Sequence, residues 1–339
     1  MENIITKITS SPKKILIVKR RALGDSIMGL STIAYLKKIF PESHITYALP
    51  SWIIPLYKNV QTSVDDYMNV DLKALKDYYN LVRSLSSKFD FIFELHQSGR
   101  TRKFFKVMSF FTQTPYGFHN HHKKPHKRKP AIQRDLDGIF SFLKEKKYIT
   151  YDSKAPSYLD YPPCIKMKEL ITPDSFKIIL GVSATRSTKC WPLSYFKNLC
   201  EELLKKDTRY EFLIPLSSND FDKKLKQEIE NLQFPESAKV VQVSLEDLPL
   251  QIGQAGCYIG NDTGLKHLCV ALGIPTYTFF GPEEPLEWHP YDQKKHKFFF
   301  LEPLECRTRI SHYCTLTECD SMLCLNSFTA KDVLHQIFP

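Results

Sequence analysis

Three short segments of the chain carry residue types that could do chemistry. The first is Arg20-Arg21-Ala22-Leu23-Gly24-Asp25-Ser26. A carboxylate opening a helix is held ionised by the helix dipole and the unpaired N–H groups, so Asp25 could take a proton from an attacking hydroxyl; a plain helix cap is the alternative. The second runs from Gly181 to Pro192 and is rich in hydroxyls: Ser183, Thr185, Ser187 and Thr188 alternate with Arg186 and Lys189. Such a loop suits a diphosphate, with Lys189 as a point charge, though a solvated loop would read the same way. The third is Tyr258-Ile259-Gly260-Asn261-Asp262-Thr263-Gly264-Leu265-Lys266-His267. There a helix begins at a small polar turn, and helix N-termini bind phosphate. Gly264 permits close backbone approach, Asp262 and Thr263 could hold sugar hydroxyls, and His267 lies one turn in. A structural cap with a packed histidine is the competing reading.

The elements that must position these segments alternate between strand and helix. Residues 14–18 form a short apolar run of the kind buried in a parallel sheet. A helix over 26–40 follows, with Ile27, Leu30, Ile33, Leu36 and Phe40 at helical spacing. Strands at 44–49 and 89–95 and a helix over 72–85 continue the pattern, which is βαβ grammar. Residues 155–175 hold four prolines and read as a linker. Beyond it the alternation restarts, with strands at 177–182, 210–215, 257–260 and 275–280. Helices fall at 195–206 (Ser194 as its cap), 220–232 and 265–272. Ligands in open α/β sheets sit at the carboxyl ends of the strands, so a site between two such units is expected.

Composition narrows the class. The 339 residues carry a net charge of +10, with 25% charged and 42% hydrophobic residues, which excludes a disordered chain or a fibre. Residues 1–170 hold 29 Lys and Arg against 15 Asp and Glu, whereas the remainder holds 18 against 22. The basic first half calls for an anionic partner, and the densest stretch is His119 to Lys129, including Lys123 and Lys124. No nucleic-acid-binding module is recognisable, so nucleic acid is not expected. Residues 1–14 lack the apolar core of a secretory signal, so a cytoplasmic location is expected. Cys306, Cys314, Cys319 and Cys324 are spaced x7, x4 and x4. That is loose for a metal knuckle, so packed thiols are the first reading and a metal site the alternative.

Together and in this order, the segments ILIVKRRALGDSIMGLSTIAYLKKIFP, GVSATRSTKCWPLSYFKNLCEEL and YIGNDTGLKHLCVALGIPTYTFFGPEEPLEWHPY resemble glycosyltransferase family 9, the ADP-heptose:lipopolysaccharide heptosyltransferases. The resemblance covers most of residues 14–338. It implies a GT-B fold: two Rossmann-like domains facing across a cleft. The N-terminal one (1–165) would take the acceptor and the C-terminal one (166–326) the nucleotide-sugar, with a final helix (327–339) crossing back to the first. It implies an inverting glycosyl transfer by direct displacement, with no metal and no cofactor. Asp25 would be the base, Thr185, Lys189, Asp262, Thr263, Gly264 and His267 would bind the donor, and Arg20, Arg21, Lys123 and Lys124 the anionic glycolipid acceptor. The family often has an acid near position 219, touching the donor nucleoside; here it is Asn219, which leaves the nucleotide open. A protein acceptor, or another nucleotide-sugar, is the alternative. Phe104, Phe105, Phe110 and Phe111 interleave with Arg102, Lys103 and Lys106; transient contact with the inner face of the inner membrane is one reading, and a core helix the other.

Overall fold

The computed structural model describes residues 7–85, 89–96, 99–119, 129–169, 171–306, 314, 316 and 318–337. The chain divides into two compact units, Met1–Ile165 and Lys166–Pro339. Among the described residues no helix is long and apolar enough to cross a membrane.

The first unit runs β1 (Lys14–Val18), α1 (Leu23–Ile39), β2 (His44–Leu49), β3 (Asp66–Asn69), α2 (Leu75–Leu85), β4 (Phe91–Glu94), α3 (Gly99–Thr112), β5 (Tyr116–Phe118) and α4 (Ala131–Glu145). Its sheet has the order β3-β2-β1-β4-β5, every pairing parallel. The four apolar residues of β1 are fully buried, as a strand covered on both faces must be. Leu16 and Val18 point into a cluster with Leu81 and Leu85 of α2 and Phe105 of α3. Helix α1 is buried nearly all round and packs on α4. It starts three residues earlier than periodicity predicts, because Leu23, Gly24 and Asp25 already form its first turn. The chain runs outward from β1 to β3, then returns to β4 on the other side of β1. That reversal opens a crevice at the carboxyl ends of β1 and β4.

The second unit runs β6 (Asp174–Gly181), α5 (Leu193–Lys206), β7 (Glu211–Pro215), α6 (Asp220–Asn231), β8 (Ala238–Val241), α7 (Leu248–Ile252), β9 (Ala255–Asn261), α8 (Gly264–Ala271), β10 (Thr276–Phe280), α9 (Pro285–Trp288), β11 (His296–Phe300), α10 (Leu323–Asn326) and α11 (Ala330–Ile337). The parallel order β8-β7-β6-β9-β10-β11 reverses between β6 and β9. Two local expectations change. Pro192, not Ser194, precedes the first turn of α5, since its fixed φ suits that position and leaves Ser194 inside the helix. The final helix belongs to the second unit: α11 packs on α5, and Val333, Leu334 and Ile337 complete that unit's core instead of leaving it.

Two facing glycines bring β6 and β9 together at the reversal. Gly181 pairs with Gly260, and a Cβ on Gly260 would stand 2.5 Å from the Gly181 Cα. A Cβ on Gly181 would meet the Tyr258 hydroxyl at 2.0 Å. Backbone cannot yield as a side-chain tip can, so Gly260→Ala should destabilise the protein by about 1–3 kcal/mol, the usual cost of overpacking. Urea unfolding measures it; an unchanged midpoint would contradict the close approach.

Candidate active site

At the carboxyl end of the first sheet, charged side chains gather from β1, β4, β5 and α4. Asp25 occupies the third position of α1, and the N-cap residue is Ala22 without a capping side chain; Asp25 is therefore not the cap. Below it lies a pair that the sequence did not reveal. Lys19, just past β1, donates from Nζ to Asp135 Oδ2 at 2.5 Å, and both side chains are buried. His119, following β5, meets the other oxygen of Asp135 through Nε2 at 2.5 Å. Arg21 donates to His96, which follows β4 in a left-handed conformation (φ 64°). Burial, helped by Arg21 and Lys19, pulls His96 down to about 3 and keeps it neutral, fit to accept that bond. Arg20 donates to the Asp71 carbonyl at 2.9 Å.

Asp25 is partly open to solvent but closely packed around its carboxyl. Burial pushes its pKa above the ordinary carboxylate range; Lys19 pulls it back, Asp135 adds to the rise, and Arg21 and Arg134 oppose it. The result is a carboxylate more basic than usual, within a cationic surround. Lys123 and Lys124 lie outside the described residues.

In the second unit the crevice between β6 and β9 is lined by the two remaining segments. Asn261, fully buried, stitches them: its Oδ1 accepts the Trp191 N–H and its Nδ2 donates to the Val182 carbonyl, both at 2.8 Å. Trp191 stacks on Phe279 and so pins the end of the loop. Asp222 holds its beginning, accepting from the Ser183 hydroxyl at 2.5 Å and the Ser217 N–H at 2.7 Å. Arg186 pairs with Glu283 at 3.0 Å, and Thr185 is exposed.

At the head of α8, Asp262 sits between two lysines. Lys189 Nζ reaches Oδ2 at 3.0 Å, and Lys266 Nζ reaches Oδ1 at 2.6 Å. Burial would raise the Asp262 carboxyl, but Lys189 and Lys266 outweigh it and hold it well below the carboxylate range. Lys266 also donates to the Trp288 carbonyl at 2.7 Å and lies over the Phe280 ring. Its burial pulls it down to about 8, against the pull of Asp262. Thr263 is the N-cap and Gly264 the first helical residue, both partly exposed. His267 is buried, hydrogen-bonded through Nδ1 to the Tyr291 hydroxyl, and kept neutral by burial and Lys266. Asn219 caps α6, accepting the Asp222 N–H at 2.8 Å. Lys266 was legible in principle, since residues four apart near a helix start share a face. Asp135, Asn261 and Asp222 carried no local signal.

The four tail cysteines line one small cavity of about 20 Å³ with Thr188, Gly281 and Pro282. The Cys319 thiol is held below its usual range, chiefly by the Met322 N–H. Among the described residues no three His, Cys, Asp or Glu side chains are placed to hold an ion.

The profile of Glycosyltransferase family 9 (heptosyltransferase) matches residues 117–318, more than half of the chain. The chain belongs to this family and is a glycosyltransferase. It is similar to lipopolysaccharide heptosyltransferase 1 of Campylobacter coli, 22% identical over 291 residues that span 79% of this chain and 84% of the relative. Among solved structures it is similar to the E. coli heptosyltransferase WaaC with ADP (TM-score 0.68, 18% identity, 96% of this chain and 98% of that one). It is also similar to E. coli ADP-heptose lps heptosyltransferase II (TM-score 0.69, 17% identity, 96% and 97%). This heptosyltransferase-family chain thus has the GT-B fold.

One consequence of the Asp25 environment concerns stability. An unfolded carboxyl ionises in the ordinary range, whereas the folded one holds its proton to higher pH, so at neutral pH its charge opposes folding. Asp25→Asn should therefore raise the melting temperature at pH 7, with the gain disappearing below the ordinary carboxylate range, where both states are protonated. A lower melting temperature at pH 7 would contradict the desolvated carboxylate.

Proposed function

We propose that the protein transfers a heptose from ADP-heptose to the core sugar of a lipopolysaccharide acceptor, inverting the anomeric centre in one displacement and without a metal ion. The observation that carries this reading is Asp25: one raised-pKa carboxylate at the reversal point of its sheet, ringed by Lys19, Arg21 and Arg134. A base of that kind can take the proton of an acceptor hydroxyl as its oxygen attacks the anomeric carbon. Arg20 and Arg21 supply charge for an anionic glycolipid, as do Lys123 and Lys124.

On the donor side the leaving diphosphate gains charge as the glycosidic bond breaks. Lys189 and the N–H groups at the head of α8 act where that charge develops. Thr185 adds a hydroxyl, Gly264 leaves room for the phosphates and the partly exposed Thr263 meets the sugar, while the buried Asp262 and His267 serve donor binding by fixing that turn. ADP rests on the relatives, one of whose solved structures carries it; Asn219 supports no acid contact to the nucleoside.

The test is kinetic. Asp25→Ala should abolish transfer, by about 10³-fold or more, while ADP still raises the melting temperature of the variant by mass action. For the wild type, kcat/KM should fall as pH drops through a limb above the ordinary carboxylate range, because only ionised Asp25 accepts the proton. Dialysis against EDTA should leave the rate unchanged. Retained turnover in Asp25→Ala would defeat the assignment. A thermal-shift panel of ADP, GDP, UDP and CMP checks the nucleotide, with ADP expected to give the largest rise.

A further inference from the structure

Lys266 stands in the first turn of α8 with no solvent contact. The place is unfavourable twice over. The positive end of the helix dipole repels a cation, and burial strips the ammonium of its water. Three elements supply what holds it there. Its Nζ donates to Asp262 Oδ1 at the end of β9 at 2.6 Å and to the Trp288 carbonyl at the end of α9 at 2.7 Å. The Phe280 ring, closing β10, lies 4.9 Å away, and the Tyr291 ring 5.9 Å away. Around Tyr291 gather the rings of His267 on α8, His289 after α9 and His296 at the start of β11. Burial keeps all three histidines neutral, with His289 pulled down to about 3 and His296 to about 4, so none of them replaces the ammonium.

Two cations on one carboxylate are one more than its charge requires. They are not equivalent. Lys266 is fixed by a carboxylate, a carbonyl and a ring, whereas Lys189 holds Asp262 Oδ2 at 3.0 Å from a partly exposed position on the hydroxyl-rich loop. Lys189 is therefore the cation that can be exchanged, and Lys266 the one that makes the exchange affordable by leaving no unpaired charge behind.

We propose that Lys266 is a positioning residue for donor binding: by neutralising Asp262 from within the fold, it lets Lys189 leave that carboxylate for the diphosphate of the nucleotide-sugar. The inference rests on the donor reading above and adds the group that sets Lys189 free. It has a consequence in pH. Burial pulls Lys266 down to about 8, against the pull of Asp262 and with help from Lys189. As pH rises through that range Lys266 loses its proton, Asp262 keeps Lys189, and the diphosphate goes without it. Once Lys189 has turned to ADP, Lys266 must carry the charge opposite Asp262. Binding of ADP in that range therefore takes up a proton.

Calorimetric titration of ADP into the full chain, near pH 8 and in buffers of different ionisation heat, counts the protons exchanged. The wild type should take them up, and its ADP affinity should fall severalfold as pH rises from about 7 to about 9. Lys266→Met should weaken ADP by about tenfold or more, weaken AMP far less, and remove the proton uptake. The double variant D262N/K266M should recover most of the loss, because Asn keeps the size of Asp262 and drops the charge that retains Lys189. A purely structural lesion would not be repaired by a second substitution. Absence of proton uptake by the wild type overturns the inference, and that result needs no variant to fold. So does a D262N/K266M protein that binds ADP no better than K266M. The donor reading fails separately, and takes the inference with it, if Lys189→Met leaves ADP affinity unchanged.

Discussion

A carboxylate sealed from water is tolerable only if its charge is met, and Asp262 is met twice. Lys266, itself without solvent contact, neutralises one oxygen and is in turn held by a backbone carbonyl and an aromatic ring. Lys189, on a separate segment, meets the other oxygen from a partly exposed position. Both lysines hold Asp262 below the carboxylate range, and Lys266, with an oxygen of its own to neutralise, leaves the carboxylate paired whichever way the partly exposed Lys189 turns. The Gly181–Gly260 approach, the Asn261 stitch and the Trp191 anchor all serve to bring Lys189 to that place.

The first unit treats its acids differently. Asp135 is the fully paired one, between Lys19 and His119, and it behaves as structure. Asp25 has cations near it but no such clamp, and burial raises its pKa instead. Within one crevice, one carboxylate is clamped by two partners and its neighbour is left more basic than usual. Divergent environments of this kind separate a supporting acid from a reacting one.

How much of this was legible depended on whether the signal was local. Asp25, Lys189, Asp262 and Gly264 could be marked because each stands on a strand–turn–helix junction, where a parallel sheet puts its ligands. The Lys19–Asp135 pair spans 116 positions and Asn261–Val182 spans 79, and nothing in either neighbourhood names the partner. The helix of residues 99–112 carried both a core and a surface pattern, so the sequence left two readings open. Burial divides the aromatics of that helix, Phe105 inward and Phe110 and Phe111 outward, and does not choose between the readings. Helix starts depart from the periodic pattern where Pro192 or a Leu-Gly-Asp turn, instead of a hydroxyl cap, opens the helix.

The pairing of Lys189 with Asp262 as a diphosphate anchor is tested most directly by calorimetric binding of ADP and AMP to wild type and to Lys189→Met. Loss of one charge-assisted contact should weaken ADP by about ten- to a hundredfold and AMP far less, because AMP lacks the second phosphate. Equal losses for the two nucleotides, or none for either, would contradict the account.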